Sequence, residues 1–291
     1  GRAAQAGADV TFLVREARAA RIREQGLRIK SPLGDATLQP QLVTQQTLQG
    51  GYDLVVLSCK AYDLDSSIEA IAPAMGPGTT LLPILNGLRH YPALDARFGR
   101  DAVLGGLCFI SATKAGDGAV VHLDKPARLT FGEREGGTGS ARVTALAAAC
   151  AAAGIDHVAS PDIVGEQWIK YTFLTALAAG TCLMRADIGG IVATDHGTAF
   201  MRALYDECLA VAAHAGQPIP AKAQETALSA LTRAGSPIKA SMLRDLEAGQ
   251  RVEAAHIVGD MLDRALAAGH PAPHLHAAYC HLQAYEAQRD A

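Results

Sequence analysis

Two short runs of consecutive apolar residues constrain the fold of this chain more than any other feature. The first covers Leu54 to Cys59, and the second covers Thr80 to Leu85 and follows the turn Gly76-Pro77-Gly78. Uninterrupted runs of this length, rich in branched side chains, are typical of strands that are buried on both faces of a sheet. Between them, Leu64 to Met75 carries apolar residues at helical spacing. This order of strand, helix and strand predicts a right-handed crossover in a parallel sheet.

The first residues of the chain have the pattern of a helix end followed by a strand. Gly1 to Gly7 resembles the last turn of a helix, with Gly7 as its stop signal. Asp9 to Val14 then predicts a strand. Because a domain rarely begins in the middle of a helix, we expect a further strand and a turn to precede Gly1.

The remainder of the first half predicts an extension of the sheet. Val103 to Phe131 has the pattern of several short antiparallel strands, with a turn at Gly116-Asp117-Gly118. Ala141 to Ala153 predicts a helix, and Ile155 to Val158 predicts a short strand after it.

The second half changes to a helical pattern. Ser160-Pro161 predicts a helix start, with Ser as the N-cap and Pro at the first helical position. Helices follow one another from there and are interrupted at Gly216-Gln217-Pro218 and at Gly269-His270-Pro271. We therefore predict an α/β fold, with a parallel-sheet domain over residues 1–160 and an all-helical domain over residues 161–291.

Composition excludes several classes of function. Hydrophobic residues make up 49% of the 291 positions and the formal net charge is −3, so a packed core is expected and a nucleic-acid surface is not. The six cysteines form no CxxC pair, and we expect reduced thiols in a cytoplasmic protein. No apolar stretch predicts a membrane span. His274 and His276 lack the helical spacing of metal ligands, so no metal site is predicted.

Three polar positions follow predicted strands, where ligands of open α/β sheets are bound. Arg15 follows the strand that ends at Val14, and an arginine at this point can accommodate the 2′-phosphate of NADP. Lys60 and Asn86-Gly87 follow the next two strands. The alternative readings are a solvated helix face for the arginine and an ordinary turn for Asn-Gly.

Lys170 precedes a long uncharged stretch, Tyr171 to Met184, that predicts a helix buried on most sides. We expect this lysine near the start of the helix, where burial and the positive end of the helix dipole both favour release of its proton. A lysine in such a place can protonate a developing alkoxide. The alternative is a boundary lysine whose ammonium reaches water.

Glu253 shares a helical stripe with Ile257 and Met261, which predicts that its carboxylate points inward. A buried carboxylate needs a partner, for which Lys170 or a substrate hydroxyl could serve. The alternative is a charge that suits the start of a helix. Ser241, further upstream, is unremarkable by itself.

Five elements taken together resemble the ketopantoate reductase family. In chain order they are Val10-Thr11-Phe12-Leu13-Val14-Arg15, Cys59-Lys60-Ala61-Tyr62, Asn86-Gly87, Trp168-Ile169-Lys170, and Ser241-Met242-Leu243-Arg244-Asp245 with Glu253 downstream. Each element is weakly specific alone, but their order and spacing cover nearly the whole chain. The resemblance implies a Rossmann domain followed by a helical domain, and reduction of a 2-keto acid to a 2-hydroxy acid by NADPH.

The resemblance also implies a role for each candidate residue. Lys170 would be the general acid, Glu253 would hold the substrate hydroxyl, and Ser241 would hold the substrate carboxylate. Asn86 would lie near the nicotinamide and the substrate.

For the cofactor, the resemblance implies that Arg15 and Lys60 flank the adenosine phosphate of NADP. The family also opens with a glycine-rich GxGxxG turn, which we expect just upstream of Gly1.

One departure from the family pattern bears on the substrate. The family commonly carries asparagines one and two turns after the lysine, where this chain has Leu174 and Ala178. Apolar side chains cannot replace the hydrogen bonds of an amide, so we expect a related and more apolar carbonyl substrate. The alternatives are reduction of another carbonyl or an imine, and a non-catalytic nucleotide-binding descendant of the family. The apolar helices of the second half could form a homodimer interface or an internal core.

Overall fold

The computed structural model describes residues 1–137 and 139–290, and the backbone divides into two units. The first unit comprises Gly1–Cys59, Asp63–Leu85 and Pro92–Val164. The second comprises Lys60–Tyr62, Asn86–Tyr91 and the chain from Gly165 onwards. Two short segments from the first half of the sequence therefore belong to the same unit as the C-terminal helices.

The first unit contains the strands and the shorter helices. Its strands are β1 (Thr11–Leu13), β2 (Leu27–Lys30), β3 (Ala36–Leu38), β4 (Gln41–Val43), β5 (Leu54–Leu57), β6 (Thr80–Pro83), β7 (Gly105–Lys114), β8 (Val120–Gly132) and β9 (Asp156–Ala159). The helices of this part of the chain are α1 (Arg2–Gln5), α2 (Glu16–Gln25), α3 (Leu64–Ile71), α4 (His90–Phe98) and α5 (Ala141–Ala152).

Parallel pairing dominates the first half of this unit. Strand β5 pairs with β6 in parallel, in a register that runs from Leu54 beside Thr80 to Leu57 beside Pro83, and α3 forms the crossover between them. Strands β1 and β4 form a second parallel pair. The predicted parallel crossover is confirmed, and all four residues of β6 are buried.

The predicted burial of β5 on both faces is wrong. Val56 is 50% exposed, although Leu57 beside it is buried. The exposed side chain of Val56 shows that one face of β5 is uncovered at this position. Among the residues that the structure describes, β5 has β6 as its single neighbour, so it is also an edge strand.

A mixed five-stranded sheet forms the rest of the first unit, in the order β3-β2-β8-β7, with β9 also paired to β8. The predicted antiparallel extension is confirmed as two long strands, β7 and β8, instead of several short ones. Their turn includes Gly118, whose φ of +83° favours glycine. Leu82, Leu104 and Phe131 form the centre of the core of this unit, and α5 adds Val143 and Cys150.

The second unit is helical. Its elements are α6 (Ile163–Met184, which begins in the first unit), α7 (Ile188–Val192), α8 (Gly197–His214), α9 (Ala221–Leu231), α10 (Ser241–Glu247), a π-helix (Ala255–Gly259), α11 (Asp260–Ala267) and α12 (Pro273–Asp290). The two predicted helix breaks are confirmed, because Gly216 and Gly269 adopt φ values of +72° and +69° after α8 and α11. Within residues 1–137 and 139–290, no helix is long and apolar enough to cross a membrane.

The start of α6 differs from its prediction by two residues. Helix α6 begins at Ile163, and Pro161 lies in the preceding turn instead of the first helical position. The Ser160 hydroxyl accepts a hydrogen bond from the Asp162 amide at 3.1 Å, which stabilises this turn. The chain thus combines a Rossmann-like N-terminal part with a helix-rich C-terminal part, while the exact boundary at residue 160 stays a prediction.

Candidate active site

Lys170 and Asn86, two of the predicted site residues, are in direct contact within the second unit. Lys170 is half-buried on α6, and its Nζ donates to Oδ1 of Asn86 at 3.0 Å. Asn86 lies three residues after the end of β6, a strand whose four residues are all buried. The contact pairs an ammonium group with an amide oxygen inside this unit.

The expected position of Lys170 near the start of its helix is wrong. Helix α6 begins at Ile163, so Lys170 lies about two turns inside it. The field of the helix terminus acts mainly within the first turn. Partial burial and the hydrogen bond to Asn86 are therefore the interactions that distinguish this lysine.

Gly87 explains why an Asn-Gly pair stands at this point. Its φ is +77°, and a Cβ atom there would lie 3.0 Å from both Cδ2 and the carbonyl oxygen of His256. A side chain would thus be disfavoured by the backbone conformation and by the close approach of His256. His256 also makes a hydrogen bond to the backbone of Asn86. These contacts fix the loop that presents the Asn86 amide to Lys170.

Glu253 is 7% exposed, which confirms the prediction that it points inward. Its Oε1 accepts a hydrogen bond from the Ala61 amide at 3.0 Å, and its Oε2 lies 3.6 Å from Nζ of Lys60. The same Lys60 ammonium donates to Oδ2 of Asp245 at 2.7 Å. Lys60 therefore bridges two carboxylates, and the buried charge of Glu253 is satisfied by residues that immediately follow β5.

Sequence reasoning named Lys170 or a substrate hydroxyl as the partner of Glu253 and missed the Lys60 bridge. It quoted Asp245 within a motif without giving it a role. The spacing places Asp245 on the same face of α10 as Ser241, four residues earlier, but it does not identify Lys60 as the partner.

The two carboxylates keep Lys60 positively charged. Burial by itself disfavours the ammonium form, but the charge of Glu253 and the hydrogen bond and charge of Asp245 outweigh it, so the pKa of Lys60 is raised. Lys60 therefore holds its proton at neutral pH. It is suited to electrostatic stabilisation and not to proton transfer.

Ser241 and Arg15 are both exposed. Ser241 is the first residue of α10, in the same unit as Lys170 and Glu253. Arg15 lies in the first unit, directly before α2, and its side chain is 81% exposed. One guanidinium nitrogen of Arg15 is 3.1 Å from Oδ2 of Asp63. The second unit thus contains two separate sets of contacts, Lys170 with Asn86 and Lys60 with Glu253. Ser241 belongs to the same unit, whereas Arg15 belongs to the sheet unit.

His256, which sequence reasoning also missed, supports the Asn86 loop from a buried position. Its ring lies 5.5 Å from the ring of His90, with Nε2 at 3.3 Å from Nδ1 of that residue. Burial lowers the pKa of His256 to about 4, and the charge of Arg89 adds to this effect against the opposing charge of Asp260. The imidazole is therefore neutral at pH 7, as its contacts in the loop require.

The lowered pKa of His256 predicts a loss of stability in acid. The unfolded chain takes up this proton near pH 6.5 and the folded chain only near pH 4, so stability falls between these values. A pKa difference of this size corresponds to about 3 kcal/mol in the free energy of unfolding. Denaturant titrations between pH 7 and 4 should show a shallower decline for His256→Gln, while His276→Gln at an exposed position should follow the unmodified protein. Identical pH slopes for all three proteins would contradict this assignment.

Both halves of the chain match models of one protein family. The family described as “Ketopantoate reductase PanE/ApbA” matches residues 1–136, and its C-terminal counterpart matches residues 162–286. The chain is 36% identical to the “Uncharacterized oxidoreductase YkpB” of Bacillus subtilis, over 99% of this chain and 95% of that protein.

Solved structures give the same result at the level of the fold. A crystal structure of 2-dehydropantoate 2-reductase from Methylococcus capsulatus matches with a TM-score of 0.85 and 30% identity, over 100% of this chain and 93% of that one. D-mandelate dehydrogenase, in a ternary structure with NADH and anilino(oxo)acetate, matches with a TM-score of 0.87 and 17% identity, over 100% of this chain and 94% of that one. At this identity, the second likeness concerns the fold alone. On the family matches and the relative at 36% identity, the chain belongs to the ketopantoate reductase family of oxidoreductases.

Proposed function

We propose that this protein reduces a small 2-keto acid to the 2-hydroxy acid with NADPH, and that Lys170 is the general acid. The observation that carries the proposal is the 3.0 Å hydrogen bond from the Lys170 ammonium to the Asn86 amide oxygen. It supports a proton donor whose ammonium is held by a neutral amide oxygen. The proposed division of labour has a cofactor-binding domain over residues 1–160 and a substrate and dimerisation domain over residues 161–291.

In the proposed reaction, bound NADPH supplies a hydride to the keto carbon. Lys170 gives its proton to the carbonyl oxygen as negative charge develops there, which yields the 2-hydroxy acid. Asn86 orients the ammonium through the hydrogen bond that it accepts. A lysine held in this way stabilises the alkoxide before the proton transfer and ends the step as a neutral amine.

Glu253 is proposed to orient the reacting oxygen. Its two oxygens accept from Ala61 and lie near Lys60, but a carboxylate has about four acceptor sites, so a substrate hydroxyl can still bind. The permanent charge of Lys60 supports an ionised Glu253 in this role. Ser241, exposed at the start of α10, is proposed to bind the substrate carboxylate through its hydroxyl.

Replacement of Lys170 tests the general-acid role. In Lys170→Ala, kcat should fall by about 100- to 10,000-fold, the usual worth of a positioned acid, with NADPH affinity nearly unchanged. The assay is NADPH oxidation with ketopantoate, 3-methyl-2-oxobutanoate and phenylglyoxylate. Lys222→Ala, at an exposed position on α9, is the matched control and should keep full activity. Full activity in Lys170→Ala would falsify the role, and tight NADPH binding without turnover of any carbonyl would favour a non-catalytic protein.

The cofactor is proposed to be NADP, with Arg15 at its 2′-phosphate. The proposal rests on the position and exposure of Arg15. Its side chain follows β1 and is 81% exposed, and one guanidinium nitrogen lies 3.1 Å from Oδ2 of Asp63. Lys60 is proposed to bind the adenosine phosphate as well. To do so, its ammonium must give up one of its two carboxylate contacts. Asn86 is proposed to lie beside the nicotinamide.

Arg15→Ala should weaken NADPH much more than NADH, because only NADPH carries the 2′-phosphate. Loss of a charge-assisted hydrogen bond predicts a rise of about 10- to 100-fold in the KM for NADPH. Kinetics with each cofactor give the ratio directly. Arg23→Ala, an exposed change in the last turn of α2, is the control. An equal change for both cofactors would mean that Arg15 does not read the phosphate.

The substrate is proposed to carry an apolar side chain. Leu174 is half-buried and Ala178 is buried on α6, one and two turns after Lys170, and neither side chain can form a hydrogen bond to substrate. The likeness in fold to D-mandelate dehydrogenase, whose structure holds a bulky oxo acid, supports room for such a group in this architecture.

Substrate preference should therefore differ from that of a ketopantoate-specific enzyme. We expect kcat/KM to be at least about tenfold higher for phenylglyoxylate or 3-methyl-2-oxobutanoate than for ketopantoate, since a missing amide contact costs this much or more. Leu174→Asn should shift the ratio towards ketopantoate. Leu266→Asn, the same change at a 56% exposed site on α11, should leave the ratio unchanged. A wild-type preference for ketopantoate would contradict the proposal.

A further inference from the structure

Tyr171, the residue after Lys170, links α6 to the segment that carries Glu253. Its side chain is 1% exposed. Its hydroxyl lies 2.8 Å from Oδ2 of Asp260 and 3.1 Å from the carbonyl oxygen of Ile257, so its single proton serves two acceptors. Burial, followed by the charge of Asp260, raises the pKa of Tyr171 well above its usual value. The raised pKa favours the neutral phenol, which can donate its proton to these acceptors.

The Ile257 carbonyl belongs to the π-helix that begins two residues after Glu253. The wider turn of a π-helix disturbs the regular backbone ladder, and such turns occur frequently at functional sites. Here side chains bond to two of its carbonyls, Tyr171 to that of Ile257 and Arg89 to that of Ala255 at 3.1 Å. The Ile257 amide in turn donates to the Glu253 carbonyl at 3.1 Å. Two consecutive hydrogen bonds thus connect the neighbour of Lys170 to the backbone of Glu253.

A second contact fixes the rotation of α6 about its axis. Asp260 is buried and also accepts from Nε of Arg264 at 2.9 Å, and the Arg264 guanidinium lies 5.6 Å from the centre of the Trp168 ring. Trp168 and Tyr171 are three residues apart and share one face of α6. Tyr171 contacts Asp260 and Trp168 contacts Arg264, and these two residues of α11 are bonded to each other. The direction in which Lys170 leaves the helix follows from this double contact.

We infer that Tyr171 and Asp260 are positioning residues, which hold the Lys170 ammonium and the Glu253 carboxylate in the relation that proton transfer requires. The inference rests on the proposed function, because it assigns an effect on the reaction and not only on folding. Neither side chain needs to touch the substrate. A displacement of about 1 Å at a reacting group can lower a rate by about 100-fold, so a hydrogen bond that fixes both groups has kinetic consequences.

Tyr171→Phe tests the inference, since it keeps the buried ring and removes only the hydroxyl. The substrate is whichever of ketopantoate, 3-methyl-2-oxobutanoate and phenylglyoxylate the unmodified protein reduces fastest. We expect kcat to fall by about 10- to 100-fold, with the KM for NADPH within about twofold of the unmodified value. The solvent deuterium isotope effect on kcat should rise, because proton transfer becomes slower relative to the other steps. Asp260→Ala removes the other end of the same bond, should act in the same direction, and gives an independent reading if Tyr171→Phe does not fold.

A matched control separates positioning from general weakening of the fold. Tyr205, on α8, is also 1% exposed. Its hydroxyl bonds to Thr172, the residue that follows Tyr171 on α6. Tyr205→Phe removes a buried phenol hydroxyl from the same region without touching the Glu253 segment. It should lower the melting temperature without changing kcat or the isotope effect.

The Lys170→Ala background distinguishes failure of this inference from failure of the proposed function. If Tyr171 acts through Lys170, Tyr171→Phe should change the residual rate of Lys170→Ala by less than about twofold, whereas independent effects would multiply. An equal loss in both backgrounds would overturn the positioning role. Unchanged kcat in Tyr171→Phe, with Lys170→Ala strongly impaired, would overturn it as well and leave the proposed function standing. Full activity in Lys170→Ala, or no turnover by the unmodified protein, would remove the proposed function and this inference with it.

Discussion

The buried carboxylate of Glu253 is the constraint on which the arrangement of the second unit depends. An ionised carboxylate removed from water costs several kcal/mol unless charges and hydrogen bonds satisfy it. The Ala61 amide and the Lys60 ammonium do so here, and Asp245 balances the lysine. The requirement explains why three residues that follow β5 belong to the helical unit. Loss of Lys60 would leave the buried carboxylate of Glu253 without its opposite charge, whereas loss of Asp245 would leave the Lys60–Glu253 pair in place.

The segment after β6 is held by a different kind of contact. Gly87 allows the backbone to approach His256 to a distance that no side chain would permit, and the imidazole bonds to the Asn86 backbone. Burial keeps this imidazole neutral, which the close packing against a second histidine requires. One segment is therefore fixed by charge and the other by close packing. Each kind of contact holds a short segment from the first half of the sequence against a candidate site residue of the second unit.

The sequence predicted those features that depend on local pattern. The apolar run of β6 and the helix of the crossover are visible in consecutive residues, and the parallel pairing follows from their order. Ser160-Pro161 predicted the start of α6 to within two residues. The change in charge at Lys170 marks where this continuous helix becomes buried and not where a helix begins. The exposure of Val56 was missed because an edge strand and a central strand can share the same apolar pattern.

The candidate site was predictable as a set of residues but not as a set of contacts. The spacing of Glu253 with Ile257 and Met261 was enough to predict its burial. Its bond to Lys60 was not predictable, since nothing near Glu253 reveals that the chain 193 positions earlier returns to it; the Lys60–Asp245 pair likewise spans 185 positions. Pairs of this kind leave no periodic signal in the sequence. Each residue only has to offer a charge or a hydrogen bond to a buried partner, and many polar residues could do so.

The two lysines of the site have different surroundings, and this difference bears on their proposed roles. Lys60 lies between two carboxylates that raise its pKa, so loss of its proton would leave both of them uncompensated. The Asn86 amide that binds Lys170 is neutral and accepts a single hydrogen bond from it. A reaction that consumes a proton at the carbonyl oxygen needs a donor that can give up its charge and later recover it. Lys60 does not meet that condition because its charge compensates Glu253, and this supports the proposal that Lys170, bonded to Asn86, is the proton donor.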